Sequence, residues 1–169
     1  MQIKSILFTT ALAALMAACG EPPVVDVQQQ QGDPLKENMI NANKYFASSE
    51  ENEIDSYIGR RGWKMQKLNN GTRLWEYQKG NGKELQNEEC VNVEYRLETL
   101  TGKVLYEKAE DMVIMGRGQA IAGLETALKS LTHGSKAKVI IPSAMAYGVV
   151  GDGDQISTRM VLVLDLTVK

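Results

Sequence analysis

The chain has 169 residues and a net charge of −2, with no long run of Lys or Arg, which excludes the basic surface that nucleic acid or another polyanion requires. A hydrophobic fraction of 43% allows one folded core, while aromatic residues make up only 6%, a shortage that bears on any apolar pocket. From the N-terminus, Lys4 gives a short positive start and Ile6 to Met16 is apolar but for Thr9 and Thr10. That run falls short of the roughly 20 helical residues a bilayer core demands. With the small residues Ala17 and Ala18 behind it, residues 1–18 have the form of a secretory signal peptide.

Leu15-Met16-Ala17-Ala18-Cys19 resembles the lipobox of bacterial lipoproteins. The resemblance implies cleavage after Ala18, lipidation of Cys19, and a membrane tie made by two or more acyl chains, because a single chain binds only marginally. Gly20 after the cysteine, by analogy with Gram-negative lipoproteins, implies a place on the outer membrane facing the periplasm. Cys90 is then left without a disulfide partner, and within its alternating stretch it reads as a buried strand residue. Residues 19–33, with Pro22, Pro23 and four glutamines from Gln28 to Gln31, read as the lipidated cysteine and a flexible tether.

Asp33-Pro34 is an N-cap and first-turn pair, and Leu35, Met39, Ala42 and Phe46 recur at helical spacing. Helix continues through Glu50 to Ile58, with Ile54, Tyr57 and Ile58 on one side and Gly59 as the stop. Residues 34–62 are thus a helical spacer, whose apolar residues face either a partner in the cell envelope or the domain that follows. From Trp63 the pattern turns to short strands. They are expected over 64–68, over 72–78 after the Asn70-Gly71 turn, over 90–95, over 104–106 and over 112–115. Alternation sets Cys90, Asn92 and Glu94 against Val91, Val93 and Tyr95. Leu124, Ala127, Leu128 and Leu131 line one face of a helix over 124–131 that Gly134 ends, and strands over 136–141 and 160–168 close the chain. The fold class is therefore α+β: an antiparallel sheet wrapped around one short helix, preceded by an N-terminal helical segment.

His133 is the sole histidine, has no Cys, Asp or Glu at ligand spacing, and reads as a helix-end residue, so no metal is expected. No serine has a plausible base beside it. Gly116, Gly118 and Gly123 miss the spacing of a dinucleotide fingerprint and read as turn and helix-start glycines, and no cofactor is expected.

One succession is informative: Val91-Asn-Val-Glu-Tyr95, then Gly116-Arg-Gly-Gln-Ala-Ile121-Ala-Gly123-Leu124-Glu-Thr-Ala-Leu128, then Ile141-Pro142-Ser-Ala-Met-Ala-Tyr147-Gly148, then Leu162-Val-Leu164-Asp165-Leu166. In order and spacing it resembles the FK506-binding-protein family of peptidyl-prolyl cis–trans isomerases, most closely over 91–169, within a domain taken as 63–169. The layout of lipid anchor, helical spacer and isomerase domain is similar to lipoproteins of Bacteroidetes, including gliding-motility-associated ones. The resemblance implies a site with Tyr95, Ile121 and Tyr147 at the catalytic positions, where the Tyr147 hydroxyl and the Ile121 backbone N–H hold substrate carbonyls. Leu105, Tyr106, Asp111, Leu124, Ile156 and Leu164 would bind substrate.

Against the family pattern, Leu124 stands where the pocket floor is usually tryptophan, and Leu105, Leu164 and Asp111 stand at positions usually phenylalanine. The usual pocket aspartate is Tyr106, or Glu107 after a one-residue slip that would reverse the strand faces. An eroded aromatic wall implies weak isomerase activity and low affinity for the family's macrolide ligands. The substrates implied are proline-containing exported polypeptides. Two other functions remain open on the same scaffold, a chaperone binding extended segments and an interaction module of an envelope complex that docks through Leu35, Met39 and Phe46.

Overall fold

The computed structural model describes residues 33–169; the signal segment, Cys19 and all of the tether except Asp33 lie outside the described residues. The chain divides at Ile40, and the second compact unit runs from Asn41 to Lys169.

Helix α1 is Pro34–Arg61. Asp33 begins it as expected, its carboxylate accepting the Leu35 N–H at 3.0 Å. Glu37 in the first turn and Arg60 and Arg61 in the last suit the helix dipole. The expected stop at Gly59 is displaced. Gly62 instead adopts φ +64°, and the bonds Gly62 N–H to Gly59 O and Trp63 N–H to Ile58 O complete a Schellman ending. Among the described residues no helix is long and apolar enough to cross a membrane.

Six strands follow: β1 Gln66–Lys67, β2 Arg73–Gln78, β3 Cys90–Thr99, β4 Val104–Ile114, β5 Lys136–Ile141 and β6 Leu162–Val168. They form one antiparallel sheet in the order β1-β2-β5-β6-β3-β4. Helix α2, Ala122–Leu128, lies between β4 and β5 in the chain. This is the α+β arrangement expected. Local departures have simple causes. The strand expected over 64–68 shrinks to two paired residues at the sheet edge. The two strands expected at 104–106 and 112–115 are a single strand, because Ala109, Glu110 and Asp111 between them pair with Tyr95, Glu94 and Val93 of β3, while Glu107 and Lys108 are taken up in a register shift. Helix α2 starts two residues early and stops three early, and Leu131 is buried from the turn beyond it. Cys90 is exposed, contrary to expectation; Val91 and Val93 take the inward places, and strict alternation puts Cys90 on the other side.

Residues 139–141 of β5 and 162–164 of β6 are apolar on both faces for a physical reason. Val139 pairs with Leu164 and Ile141 with Leu162, and these join Leu124, Ala127 and Leu128 of α2 in the main core. Ile140 pairs with Val163, on the opposite face, and both pack with Ile54 and Tyr57 of α1 and with Val161. Burial on two sides turns alternation into a continuous apolar run. The second half of α1 is therefore part of this compact unit, although the sequence gives the domain a start at Trp63. Arg73, 5% exposed, reinforces the seam by donating to Asp55 at 2.9 Å, to Glu51 at 3.2 Å and to the Gly71 carbonyl at 2.7 Å. On the other face, α2 comes so close to β5 that a Cβ on Gly123 would stand 2.2 Å from Ile141 Cγ2, a contact only glycine permits.

His133 does not cap α2. Its Nδ1 bonds the Lys169 carbonyl at 2.6 Å and its Nε2 the Glu89 carboxylate at 2.7 Å. Both partners are acceptors, so only the protonated ring satisfies the two together. These bonds, the Lys169 carbonyl first, raise the His133 pKa above 6.5, while the Gln86 N–H first and His133 second hold Glu89 below 4.5. The histidine contribution to stability is complete below 6.5 and disappears as pH rises through the raised value. The glutamate contribution is present above 4.5 and disappears as pH falls through the lowered value. Thermal melts of wild type and His133→Gln are expected to differ most between pH 4.5 and 6.5, with the gap closing as pH rises through the raised histidine value; a gap that widens with pH would show that the ring is bound neutral.

Candidate functional site

A cavity of about 280 Å³ opens where β3, β4, β6, the start of α2 and the segment after β5 meet. Tyr95 enters from β3, Asp111 from β4, Ile121 and Leu124 from the start of α2, Leu164 from β6, and Tyr147 from beyond the Ser143–Met145 turn. All six were singled out in the sequence, and they line one space. Leu105, Tyr106 and Ile156 do not line it. Leu105 and Ile156 are buried in the main core, at 7% and 4% exposure. The Ile156 N–H donates to Asp152 Oδ1 at 2.8 Å. Tyr106 packs against the core edge, where Asp152 acts electrostatically on both Tyr106 and Tyr147.

The cavity also contains Leu97, Met112, Val113 and Leu162, which the sequence did not single out. A signal existed for Leu97 and Leu162. Each lies two residues from a recognised site residue, Tyr95 and Leu164, on the same strand and hence on the same face. The floor and walls are mainly aliphatic, with Leu124 4% and Leu164 2% exposed. The volume falls below the roughly 300–1,000 Å³ typical of drug-sized ligand sites, which suits a small apolar group.

Tyr95 and Asp111 share a face of the β3–β4 pair. Tyr95 faces Ala109 in register, so Asp111 is the diagonal neighbour, within reach of a long side chain. The Tyr95 hydroxyl donates to Asp111 Oδ2 at 2.6 Å. Burial first, and this carboxylate second, push the Tyr95 phenol well above its ordinary range. The aspartate of the site is therefore Asp111. The one-residue slip that would have brought Glu107 into the pocket does not occur, because Glu107 accepts from Arg96 Nε at 3.0 Å and stays exposed.

Tyr147 is 39% exposed, and its hydroxyl makes no hydrogen bond with the described residues. Burial first, then Asp152, Asp111 and Tyr106, raise its pKa, so it remains a donor at neutral pH. Ile121 precedes α2 with φ −58° and ψ 141°. Its carbonyl accepts the Glu125 N–H at 3.1 Å, and its own N–H has no acceptor among the described residues. The buried Glu125 carboxylate accepts the Gly116 N–H at 3.0 Å, which ties the turn after β4 to the helix and fixes the approach to Ile121. Among the described residues no three His, Cys, Asp or Glu side chains gather as a metal site. What the arrangement offers is an apolar hollow with two free donors at its border.

Comparisons with known proteins bear on the family and the fold. A family model described as FKBP-type peptidyl-prolyl cis-trans isomerase matches residues 82–169. The chain is 31% identical over 102 residues to the probable FKBP-type 25 kDa peptidyl-prolyl cis-trans isomerase of Pseudomonas aeruginosa, covering 60% of this chain and 44% of that protein. It is 39% identical over 69 residues to the FKBP-type peptidyl-prolyl cis-trans isomerase SlyD of Treponema pallidum, covering 38% of each. The chain thus spans less than half the length of these curated relatives. A solved peptidyl-prolyl cis-trans isomerase from Pseudomonas syringae superposes with a TM-score of 0.62 at 24% identity, covering 74% of this chain and 92% of that one; the likeness is one of fold.

Replacing Asp111 by Asn keeps an acceptor for Tyr95 but removes its charge. Because burial is the larger cause, the Tyr95 pKa is expected to move down while staying above the ordinary 10.0, read from the ring signals in an NMR pH titration. A return all the way to 10.0 would make the carboxylate the dominant cause.

Proposed function

The chain belongs to the FKBP-type peptidyl-prolyl cis-trans isomerase family, and from that premise we propose that it catalyses rotation about Xaa-Pro bonds in exported polypeptides, at the cavity bordered by Tyr147 and Ile121. The observation that carries the reading is the meeting of these two residues at one apolar hollow, each with a donor that no group among the described residues accepts.

Rotation about the bond sacrifices amide resonance, with a barrier of about 18–20 kcal/mol, and proceeds uncatalysed over roughly 10–100 s. No bond to the enzyme is required, so the reaction needs no activated nucleophile. The proline ring would rest on Leu124, Leu97 and Leu164. Burial there strips water from the amide and weakens the resonance that solvation favours. Tyr147 would donate to a substrate carbonyl, and the Ile121 N–H would hold a second. Tyr95, pinned by Asp111, would form a fixed wall. An aliphatic floor grips the ring less closely than an aromatic one, which supports modest activity.

NMR exchange spectroscopy on a proline peptide with the full chain tests the reading. Wild type is expected to accelerate exchange, Tyr147→Phe to lower kcat/KM by about 3- to 10-fold for the loss of one hydrogen bond, and a bulky replacement at Ile121 to abolish it. An unchanged exchange rate at high protein concentration would leave a binding module on the same fold.

The isomerase is further proposed to sit on the outer membrane, facing the periplasm, through lipid on Cys19. The sequence Leu15 to Gly20 and the need for more than one acyl chain support this. Leu35 and Met39 on α1, 66% and 58% exposed, support a docking face for an envelope protein. Metabolic labelling with palmitate is expected to mark the wild-type chain and not Cys19→Ser, with the variant released from the membrane fraction; equal labelling would rule out the anchor.

A further inference from the structure

We propose that Glu50 on α1 is a positioning residue for the Tyr147 segment, holding from outside the family-matched residues the turn that presents this hydroxyl to the cavity. The proposal rests on the isomerase reading above for its effect on catalysis.

Glu50 Oε1 accepts the Ser143 N–H at 2.7 Å, and Oε2 accepts the Ser143 hydroxyl at 2.6 Å. Ser143 is 6% exposed and follows Pro142, which has no N–H of its own. Without Glu50, its donors would be left unpaired at a cost comparable to a lost hydrogen bond. The Ser143 carbonyl in turn accepts the N–H groups of Ala146 at 3.1 Å and Gly148 at 2.8 Å, the residues on either side of Tyr147. A continuous polar path therefore runs from α1 through Ser143 to both neighbours of the tyrosine.

The far end of the same segment is tied to the same helix. Gly148 O accepts the Arg159 N–H at 2.7 Å, and Arg159 has φ +54°, a left-handed conformation that a non-glycine residue adopts at a cost. Its guanidinium donates to Asn43 Oδ1 at 3.2 Å and lies 4.2 Å from the centre of the Phe46 ring. Asn43, Phe46 and Glu50 recur at i, i+3 and i+7, so they form one stripe of α1. Between that stripe and the segment is a cavity of about 460 Å³ that reaches Met145, Gly148 and Val149. Close packing does not secure the segment from this side, and its polar ties to α1 carry the load.

The full chain in detergent is compared with Glu50→Ala, Glu50→Gln and Glu51→Ala. Glu51 bonds Arg73 and Lys67, so its variant reports loosening of α1 alone. Glu50→Ala is expected to lower kcat for Xaa-Pro exchange about tenfold, with KM changed less. It should also speed amide hydrogen exchange at Ala146 and Gly148 while β5 and β6 stay protected. Glu50→Gln, whose amide oxygen can still accept the Ser143 N–H, should recover most of both, and Glu51→Ala should show neither effect. The proposal is overturned if Glu50→Ala matches Glu51→Ala in kinetics and in protection of residues 146–148. If wild type itself fails to accelerate exchange, the isomerase reading falls, and hydrogen exchange alone decides whether Glu50 holds the segment.

Discussion

Burial of residues 139–141 of β5 and 162–164 of β6 on both faces is the constraint from which the remaining architecture follows. Ile140 and Val163 face α1, while Val139, Ile141, Leu162 and Leu164 face α2. Neither face can be left to water, since every such side chain loses about 1.5–3 kcal/mol of burial when exposed. That requirement fixes where both helices rest. Gly123 lets α2 approach Ile141, and this close contact places Ile121 and Leu124 at the cavity. The seam on the other face, with Arg73 in its carboxylate fork, brings Glu50 within reach of Ser143. The site is thus assembled from both sides of one sheet.

Fold class was legible from periodicity because α2 and β5 follow simple patterns. The end of α1 was not. Gly59 and Gly62 are equivalent on paper, and only the left-handed conformation of Gly62 marks the boundary. The role of Ile54 and Tyr57 was equally hidden, since an apolar stripe does not name the surface it covers. Cys90 departs from expectation for a different reason: the general preference of cysteine for burial yields to alternation with Val91 and Val93, which assigns it outward.

Within the site, motif order brought six residues to one cavity but not the three that a strand register or loop path diverts. Ile156 is carried inward by the bond from its N–H to Asp152, and Leu105 belongs to the core on β4. By motif position alone, Asp111 is only a poor substitute for an aromatic wall. Its actual bond, to Tyr95, depends on the diagonal geometry that the register of β3 against β4 sets, with Val93 opposite Asp111 and Tyr95 opposite Ala109. Spacing along the chain carries no trace of such a cross-strand register. Glu50 was invisible for a related reason, because its partner Ser143 is far along the chain and no spacing rule joins them.

Strand β4 is an outer strand of the sheet, eleven residues long, and a bare edge of that length would offer itself to a neighbouring chain. Its middle carries Glu107, Lys108 and Glu110, all exposed. Another backbone could zip on only by stripping water from those charges or setting like against like. The same polar stretch that disguised β4 as two fragments is therefore a guard against self-association.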